Sequence, residues 1–389
     1  MQAVPSILVL SHLYPSVRSP YLGLFVARQV KAIQETHDVR VLAPTRWLPP
    51  LTPSWRNERT LPKREVVDGT QVERPRALYF PFGMTAIETV ALPLALMGPA
   101  RDLGRERRID LLHAHFGVPD GWAATRLAER LHVPLVVSIW GSDVLVLARG
   151  RAVKRLLSHT LRCAMHVIAP SRPLLDRAVE LGAHADRSTV LMGGVPDDYG
   201  RTSRARARAE LALPRASRVV VWVGNFVQVK RPLLALESIA VVAARDPDVR
   251  LALIGDGPLR SDVRDQIRKL RLERVVSTVG TLDSVRVALW QAAADVALNT
   301  SASEGVPFAL CEALVSGTRV VAVPVGGIPE LLAATAGGTL AADASPNAVA
   351  DAIEGALALP PDPDLAERAA VLRLSRVAPR IAEIYARAM

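Results

Sequence analysis

Ten short apolar runs, most of them followed by a stretch of helical period, constrain this chain more than any other feature. They are Ser6–Leu10, Val39–Ala43, Leu111–Ala114, Leu135–Ile139 and Val167–Ala169, then Val219–Val223, Val249–Ile254, Val275–Val279, Val296–Leu298 and Arg319–Val323. Many are continuous in Val, Ile and Leu and do not alternate with polar residues, which is the pattern of a strand covered on both faces of a parallel sheet. Strand–helix units in series predict an α/β architecture with right-handed crossovers. The pattern restarts after Pro196–Arg215, a basic stretch without apolar periodicity. The expectation is therefore two doubly wound, Rossmann-like domains that face each other across a cleft. Residues 1–195 form the first and 196–371 the second, and a C-terminal helix over about 372–389 returns to the first.

Composition allows this. The chain has 389 residues, 50% apolar and 22% charged, enough for two ordinary cores. Cys163 and Cys311 are distant in sequence and have no metal-ligand spacing, so neither a disulfide framework nor a metal site is expected. The first residues lack the basic segment and the apolar length of a signal peptide. The most lipid-like stretch, Thr89–Ala100, is too short to span a bilayer and contains Pro93 and Pro99. A cytoplasmic protein is expected. The net charge is +10, but five of the 48 basic residues are lysines and the rest arginines, a bias that composition alone explains. Basic clusters at Arg101–Arg108, Arg149–Arg155 and Arg201–Arg208 carry no interleaved aromatics and no nucleic-acid motif, so nucleic acid is not an expected partner. Beside the Thr89–Ala100 stretch, the first-domain clusters suit an anionic membrane surface, and hence a peripheral position at the inner face of the plasma membrane.

Asp295–Asn299 reads as a strand ending in the loop Thr300–Glu304. A helix follows, with Pro307 near its first turn and Gly317 at its C-terminal cap. Ligands of open α/β sheets bind beyond the carboxyl ends of strands, where this loop lies. A helix start carries unpaired N–H groups and partial positive charge, so a diphosphate there meets the amides of Phe308 and Ala309. Glu312 lies five residues beyond Pro307, roughly 7.5 Å along the axis. Taken alone, Glu304 and Glu312 are two ordinary surface glutamates. Their context changes that reading. SEGVPFALCEALVSGTRVVAVPVGGIPE resembles the signature of retaining glycosyltransferase family 4, the large group-1 family. Glu304, Glu312, Gly317, Val320–Val323, Gly326, Gly327 and Glu330 all take their places in it.

The resemblance implies a GT-B fold and transfer, with retention, of a sugar from a UDP- or GDP-sugar to a glycan or lipid-linked acceptor. It implies no metal or other cofactor, because helix N–H groups and basic side chains receive the departing diphosphate. Glu304 then contacts the transferred sugar, Gly305, Pro307, Phe308 and Ala309 hold the diphosphate, and Glu312 anchors the ribose. In GNFVQVKRP, Gly224, Asn225 and Lys230 match the family's phosphate-binding positions, with asparagine in place of the commoner arginine, so Lys230 carries more of that clamp. Gly255, Asp256 and Gly257 of IGDGPLR border the nucleotide, the glycines permitting close backbone approach and Asp256 ordering the turn. Val275–Thr281 lies near the base.

In the first domain, Gly23 matches the glycine that starts the phosphate-facing helix. YPSVRSPYLGLF, HAHFGVPDG and SIWGSDV resemble the branch that builds cell-surface polysaccharides, including teichuronic acid synthesis enzymes. Many members have histidine where this chain has Trp140, and tryptophan transfers no proton. Asp143 follows in the matching position as a hydroxyl ligand and is grouped with Glu304 and Lys230 as catalytic. His113, His115 and Trp140 are candidates for acceptor contact, although a histidine at a strand end is more often a structural hydrogen-bonder. Two other readings remain: a non-catalytic nucleotide-sugar-binding protein of the same fold, and a nucleotide-sugar 2-epimerase.

Overall fold

The structure is a computed structural model that describes residues 4–47, 60–78, 85–214 and 216–389. The chain divides into two compact units. The first runs to Gly194 and takes in Leu374–Met389, and the second is Val195–Arg373.

The first unit contains β1 (Ser6–Leu10), β2 (Asp38–Leu42), β3 (Thr45–Arg46), β4 (Arg64–Val67), β5 (Thr70–Glu73), β6 (Arg76–Ala77), β7 (Leu111–His115), β8 (Leu135–Ser138), β9 (His166–Ala169) and β10 (Ser188–Val190). Eight of these strands form one sheet in the order β10-β9-β8-β7-β1-β2-β5-β4. All pairings in it are parallel except β4 with β5. Every residue of β1 and β7 is buried, which accounts for their unbroken apolar character. The strand-period reading missed β3 to β6 and β10 because these segments are polar or only a few residues long. β4, for example, alternates exposed and half-buried positions.

The helix Leu374–Ala388 packs on the helix Leu24–Ile33 through Val377, Ile381, Ile384 and Tyr385. Burying such side chains stabilises by about 1.5–3 kcal/mol each. The Tyr385 hydroxyl and His113 Nδ1 are 2.6 Å apart, which ties this last helix to the middle of β7. Among the described residues no helix is long and apolar enough to cross a membrane.

The second unit holds β11 (Arg218–Val223), β12 (Val249–Ile254), β13 (Val276–Gly280), β14 (Val296–Asn299), β15 (Arg319–Ala322) and β16 (Gly338–Leu340). They form one parallel sheet in the order β13-β12-β11-β14-β15-β16. The Pro196–Arg215 stretch is not the free linker its composition suggests, although Arg215 itself lies outside the described residues. Arg204–Glu210 is helical and packs Ala207 against Ala292 and Ala293. Arg204 and Arg208 both bond the Asp295 carboxylate, which also accepts the Val219 N–H. One small apolar residue and a charge network hold this helix, so it has no apolar stripe to read.

Candidate active site

In the second sheet the chain leaves β11 toward β12 and β13 on one side, and β14 leads to β15 and β16 on the other. The order reverses between β11 and β14, and such a point is where open α/β sheets bind ligands, beyond the strands' carboxyl ends. The register Trp222↔Leu298 brings the loops after the two strands side by side. Thr300 fastens them. Its Oγ1 receives the Trp222 indole N–H at 3.0 Å and lies 3.0 and 2.9 Å from the carbonyl oxygens of Lys230 and Arg231. Ala302 donates its N–H to the Val229 carbonyl at 2.7 Å.

On this scaffold Lys230 Nζ reaches Glu304 Oε1 at 2.5 Å. Ser301 Oγ donates to the same oxygen at 2.6 Å, and Asn299 Nδ2 lies 3.5 Å from it. The Glu304 side chain is 9% exposed and that of Lys230 30%. The two residues assigned separately to sugar and phosphate are therefore partners of each other. Ser301 and Asn299 were not anticipated, because serine and asparagine in a loop carry no signal until their partner is known.

The glycines here serve backbone packing. A Cβ on Gly255, whose φ is +134°, would stand 1.9 Å from the Gly224 carbonyl oxygen, and one on Gly257 would stand 2.7 Å from that of Phe226. The small residues expected to admit a ligand thus admit the neighbouring loop, Gly224–Phe226. Asp256 orders the turn, its Oδ1 accepting the Gly257 N–H at 2.8 Å. Asn225 is exposed. A Cβ on Gly326 would lie 1.8 Å from the Glu304 carbonyl oxygen, and Gly327 donates its N–H to the Gly305 carbonyl at 2.8 Å. The paired glycines seat the Glu304 loop from below, and the helix Ile328–Thr335 carries Glu330 in its first turn. The helix after Glu304 begins at Phe308, with Pro307 as its N-cap and Glu312 buried in its middle. Phe308 and Ala309 in its first turn are half-buried.

The first unit corrects two expectations. Asp143 is fully buried and its two oxygens accept four backbone N–H groups. Oδ1 takes the N–H groups of Trp140, Gly141 and Val144, and Oδ2 takes that of Gly117 at 2.7 Å. Burial raises its carboxyl above the usual aspartate value, and the four N–H donors oppose that rise. This burial and these four backbone partners do not fit the expected role of hydroxyl ligand or catalytic group; they make Asp143 a brace between the loops after β7 and β8. His113 is also fully buried, with Nδ1 at Tyr385 and Nε2 2.8 Å from Ser138 Oγ, so no ring atom is left for an acceptor. Burial holds its pKa down at about 3. His115 is 1% exposed, stacks on Trp140 at 5.9 Å, and is kept neutral by burial and by His113. Half-buried Trp140 is also 4.5 Å from Phe25. Gly23 starts its helix at φ +68°, and a Cβ there would lie 2.1 Å from the Leu13 carbonyl oxygen.

A pair the sequence reading missed lies beside these rings. His12 Nδ1 is 2.6 Å from Asp120 Oδ2, and the His12 backbone N–H reaches both Asp120 oxygens at 3.1 Å. The residues are 108 positions apart, which is why no spacing announced them, although His12 follows β1 directly and Asp120 stands in the HAHFGVPDG motif.

Two Rossmann-like parallel sheets, one with a lysine–glutamate pair at its switch point, have the architecture of the GT-B fold, and the comparisons agree. Solved structures with this fold include sucrose-phosphate synthase of Thermosynechococcus elongatus, with a TM-score of 0.75 and 21% identity over 98% of each chain. HepE of Anabaena, solved with UDP and glucose, has a TM-score of 0.73 and 19% identity over 98% of this chain and 99% of that one. The description "Glycosyltransferase Family 4" matches residues 22–199 and "Glycosyl transferases group 1" matches residues 203–371. Similar proteins include TuaC of Bacillus subtilis (strain 168), named as a teichuronic acid biosynthesis glycosyltransferase, 27% identical over 84% of this chain and 82% of that protein. D-inositol 3-phosphate glycosyltransferase 2 of Catenulispora acidiphila is 32% identical over 72% of this chain and 71% of its own length. The chain belongs to glycosyltransferase family 4, the group-1 glycosyl transferases.

Proposed function

We propose that this glycosyltransferase moves a sugar, with retention at the anomeric carbon, from a nucleotide diphosphate sugar to a glycan or lipid-linked acceptor in cell-surface polysaccharide synthesis. The observation that carries the proposal is the Lys230–Glu304 pair at the switch point of the second unit. A diphosphate arriving there competes with Glu304 for the Lys230 ammonium. Its other oxygens face the first turn of the helix Phe308–Val315, where N–H groups and the helix dipole favour negative charge. Glu304, still held by Ser301, turns to a hydroxyl of the donor sugar, and Glu312 to the ribose. Charge that develops on the departing diphosphate is stabilised by groups already in place, the electrostatic effect that usually contributes most in such sites. Lys230 and the helix start supply the positive charge, so the proposal includes no metal. HepE, a protein of the same fold, has been solved with UDP-glucose, which supports a nucleotide-sugar donor.

A lipid-linked acceptor has a surface to suit it. On the helix Thr85–Glu106, Ile87, Val90 and Leu94 are 50%, 54% and 84% exposed, and exposed Arg101, Arg105 and Arg108 continue beyond them. An apolar stripe that ends in arginines fits an anionic membrane surface. The test of the donor reading is a panel of UDP- and GDP-sugars, with melting temperature and product measured for each. A stabilising nucleotide sugar whose sugar moves to an acceptor is the expected result. Release of a free epimer would mean an epimerase, and binding without turnover a non-catalytic protein.

A further inference from the structure

The first sheet has a switch point of its own. From β1 the chain steps to β2 on one side, and β7 lies on the other, so the order reverses between β1 and β7. The loops that leave these two strands carry His12 and Asp120. The second unit places an ion pair at its reversal, and the first places a carboxylate–imidazole pair at the corresponding point.

The geometry of this pair is directional. Asp120 is fully buried and receives both the backbone N–H and Nδ1 of His12. Burial raises its carboxyl, and the neighbouring His12 opposes that rise. Both Asp120 oxygens already accept the His12 backbone N–H, and as a carboxylate they can only accept, so Nδ1 carries the shared proton and in the neutral ring the lone pair lies on Nε2. The His12 side chain is 24% exposed, and no described residue hydrogen-bonds Nε2. Next to it the buried ring of Phe116 leads to the half-buried rings of Phe25 and Trp140. Phe116 lies 4.9 Å from the His12 ring, Phe25 is 6.3 Å from Phe116, and Trp140 is 4.5 Å from Phe25. Apolar ring faces around a few aimed polar atoms are the composition of a small-molecule site.

We propose that His12 is an acceptor-binding residue whose Nε2 receives a hydrogen bond from a hydroxyl of a sugar ring beside the half-buried Phe25, with Asp120 as the positioning residue behind it. The inference rests on the glycosyltransferase reading above and adds the acceptor's subsite. A lone pair backed by a buried carboxylate selects its ligand by chemistry. A hydroxyl can donate to it, whereas a carboxylate or phosphate oxygen has no proton to give and meets the field of Asp120. The subsite therefore takes a neutral polyol, not an acidic sugar.

The test needs no identified acceptor. In the full chain with 15N-labelled histidines, NMR reports which ring nitrogen of His12 is protonated, and methyl α-glucopyranoside and glucuronate serve as the two probes. The expected result is an unprotonated Nε2 that shifts on titration with the glucoside and not with glucuronate. His12→Asn keeps a donor for Asp120 but removes Nε2, and it weakens glucoside binding about three- to tenfold, the range of one neutral hydrogen bond. Asp120→Asn presents an amide N–H to Nδ1, moves the ring proton to Nε2 and reverses the order of the two probes. UDP binding, measured on the same samples, stays within about twofold in both variants. An Nε2 that is protonated in the wild type, or that neither probe moves while UDP still binds, overturns the assignment of His12 alone. Failure of UDP and every nucleotide sugar to bind the wild type would remove the proposed function and this subsite with it.

Discussion

Lys230→Ala is the most informative single substitution. It removes the cation 2.5 Å from Glu304 Oε1 and leaves that carboxylate with Ser301 Oγ at 2.6 Å and Asn299 Nδ2 at 3.5 Å. The lysine side chain is 30% exposed, so solvent screens the pair, and the intact ion pair contributes only about 0–1 kcal/mol to folding. The Glu304 side chain is only 9% exposed, but the Ser301 hydroxyl still satisfies it, so the loss of stability stays near about 1 kcal/mol. For a domain of this size that lowers the melting temperature by about 2–4 °C. The effect on transfer is larger. A charge-assisted hydrogen bond to a diphosphate contributes about 1.5–3 kcal/mol, and about 1.4 kcal/mol corresponds to tenfold in rate. Lys230→Ala should lose roughly 10- to 100-fold in kcat/KM for the nucleotide sugar at nearly unchanged stability. The assay is steady-state transfer with the donor that the panel selects, beside a melting curve of the same preparation. Wild-type donor kinetics in the variant would refute the phosphate role and leave Lys230 as a structural partner of Glu304. A fall in melting temperature well beyond that range would show that the pair holds the two loops together.

Glu304→Ala should reduce turnover more than nucleotide binding and Glu312→Ala the reverse; calorimetric UDP binding set against kcat decides, and the opposite pattern overturns the division of roles. Gly326→Ala drives a methyl group to within 1.8 Å of the Glu304 carbonyl oxygen at a φ of +55°, so transfer should fall by at least tenfold, at about 1.4 kcal/mol per tenfold, while the chain still folds; unchanged activity would mean that this loop position does not matter. Asp143→Asn puts an amide N–H against backbone N–H donors and should destabilise the first unit by about 2–4 kcal/mol, read by denaturant titration, with UDP affinity unchanged. His113 is held neutral, its pKa lowered to about 3 from 6.5, so the unfolded chain binds the extra proton first. Its contribution is complete above pH 6.5 and is lost as pH falls from 6.5 toward 3, by about 1.4 kcal/mol per pH unit. Scanning calorimetry between pH 7 and 4 should show the first unit losing stability, and a flat profile would refute the buried neutral ring.

The strands that build both sheet centres were legible because a strand covered on both faces has to be apolar throughout. β1 and β7, buried at every residue, announce themselves, as does β12 with its run of Leu and Ile. The helix from Phe308 and the glycines at 326 and 327 were equally visible, since a helix start and a tight turn are local features. The edge strand β4 and its neighbour β5 were not, because exposed residues interrupt them and their pattern is that of any polar segment. The helix Arg204–Glu210 was missed for a related reason, since its stability comes from Asp295 and not from an apolar stripe.

The sequence by itself determined which segments are buried strands, where helices start, and that Lys230 and Glu304 stand in loops at strand ends. Only the tertiary structure decided which loops meet. Lys230 and Glu304 are 74 positions apart and His12 and Asp120 are 108, and each pair exists because β11 lies beside β14 and β1 beside β7. Strand order is set by packing across the whole sheet, not by any local pattern. That packing turned Asp143 and His113 from expected ligands into buried supports, and joined the unanticipated His12 to Asp120.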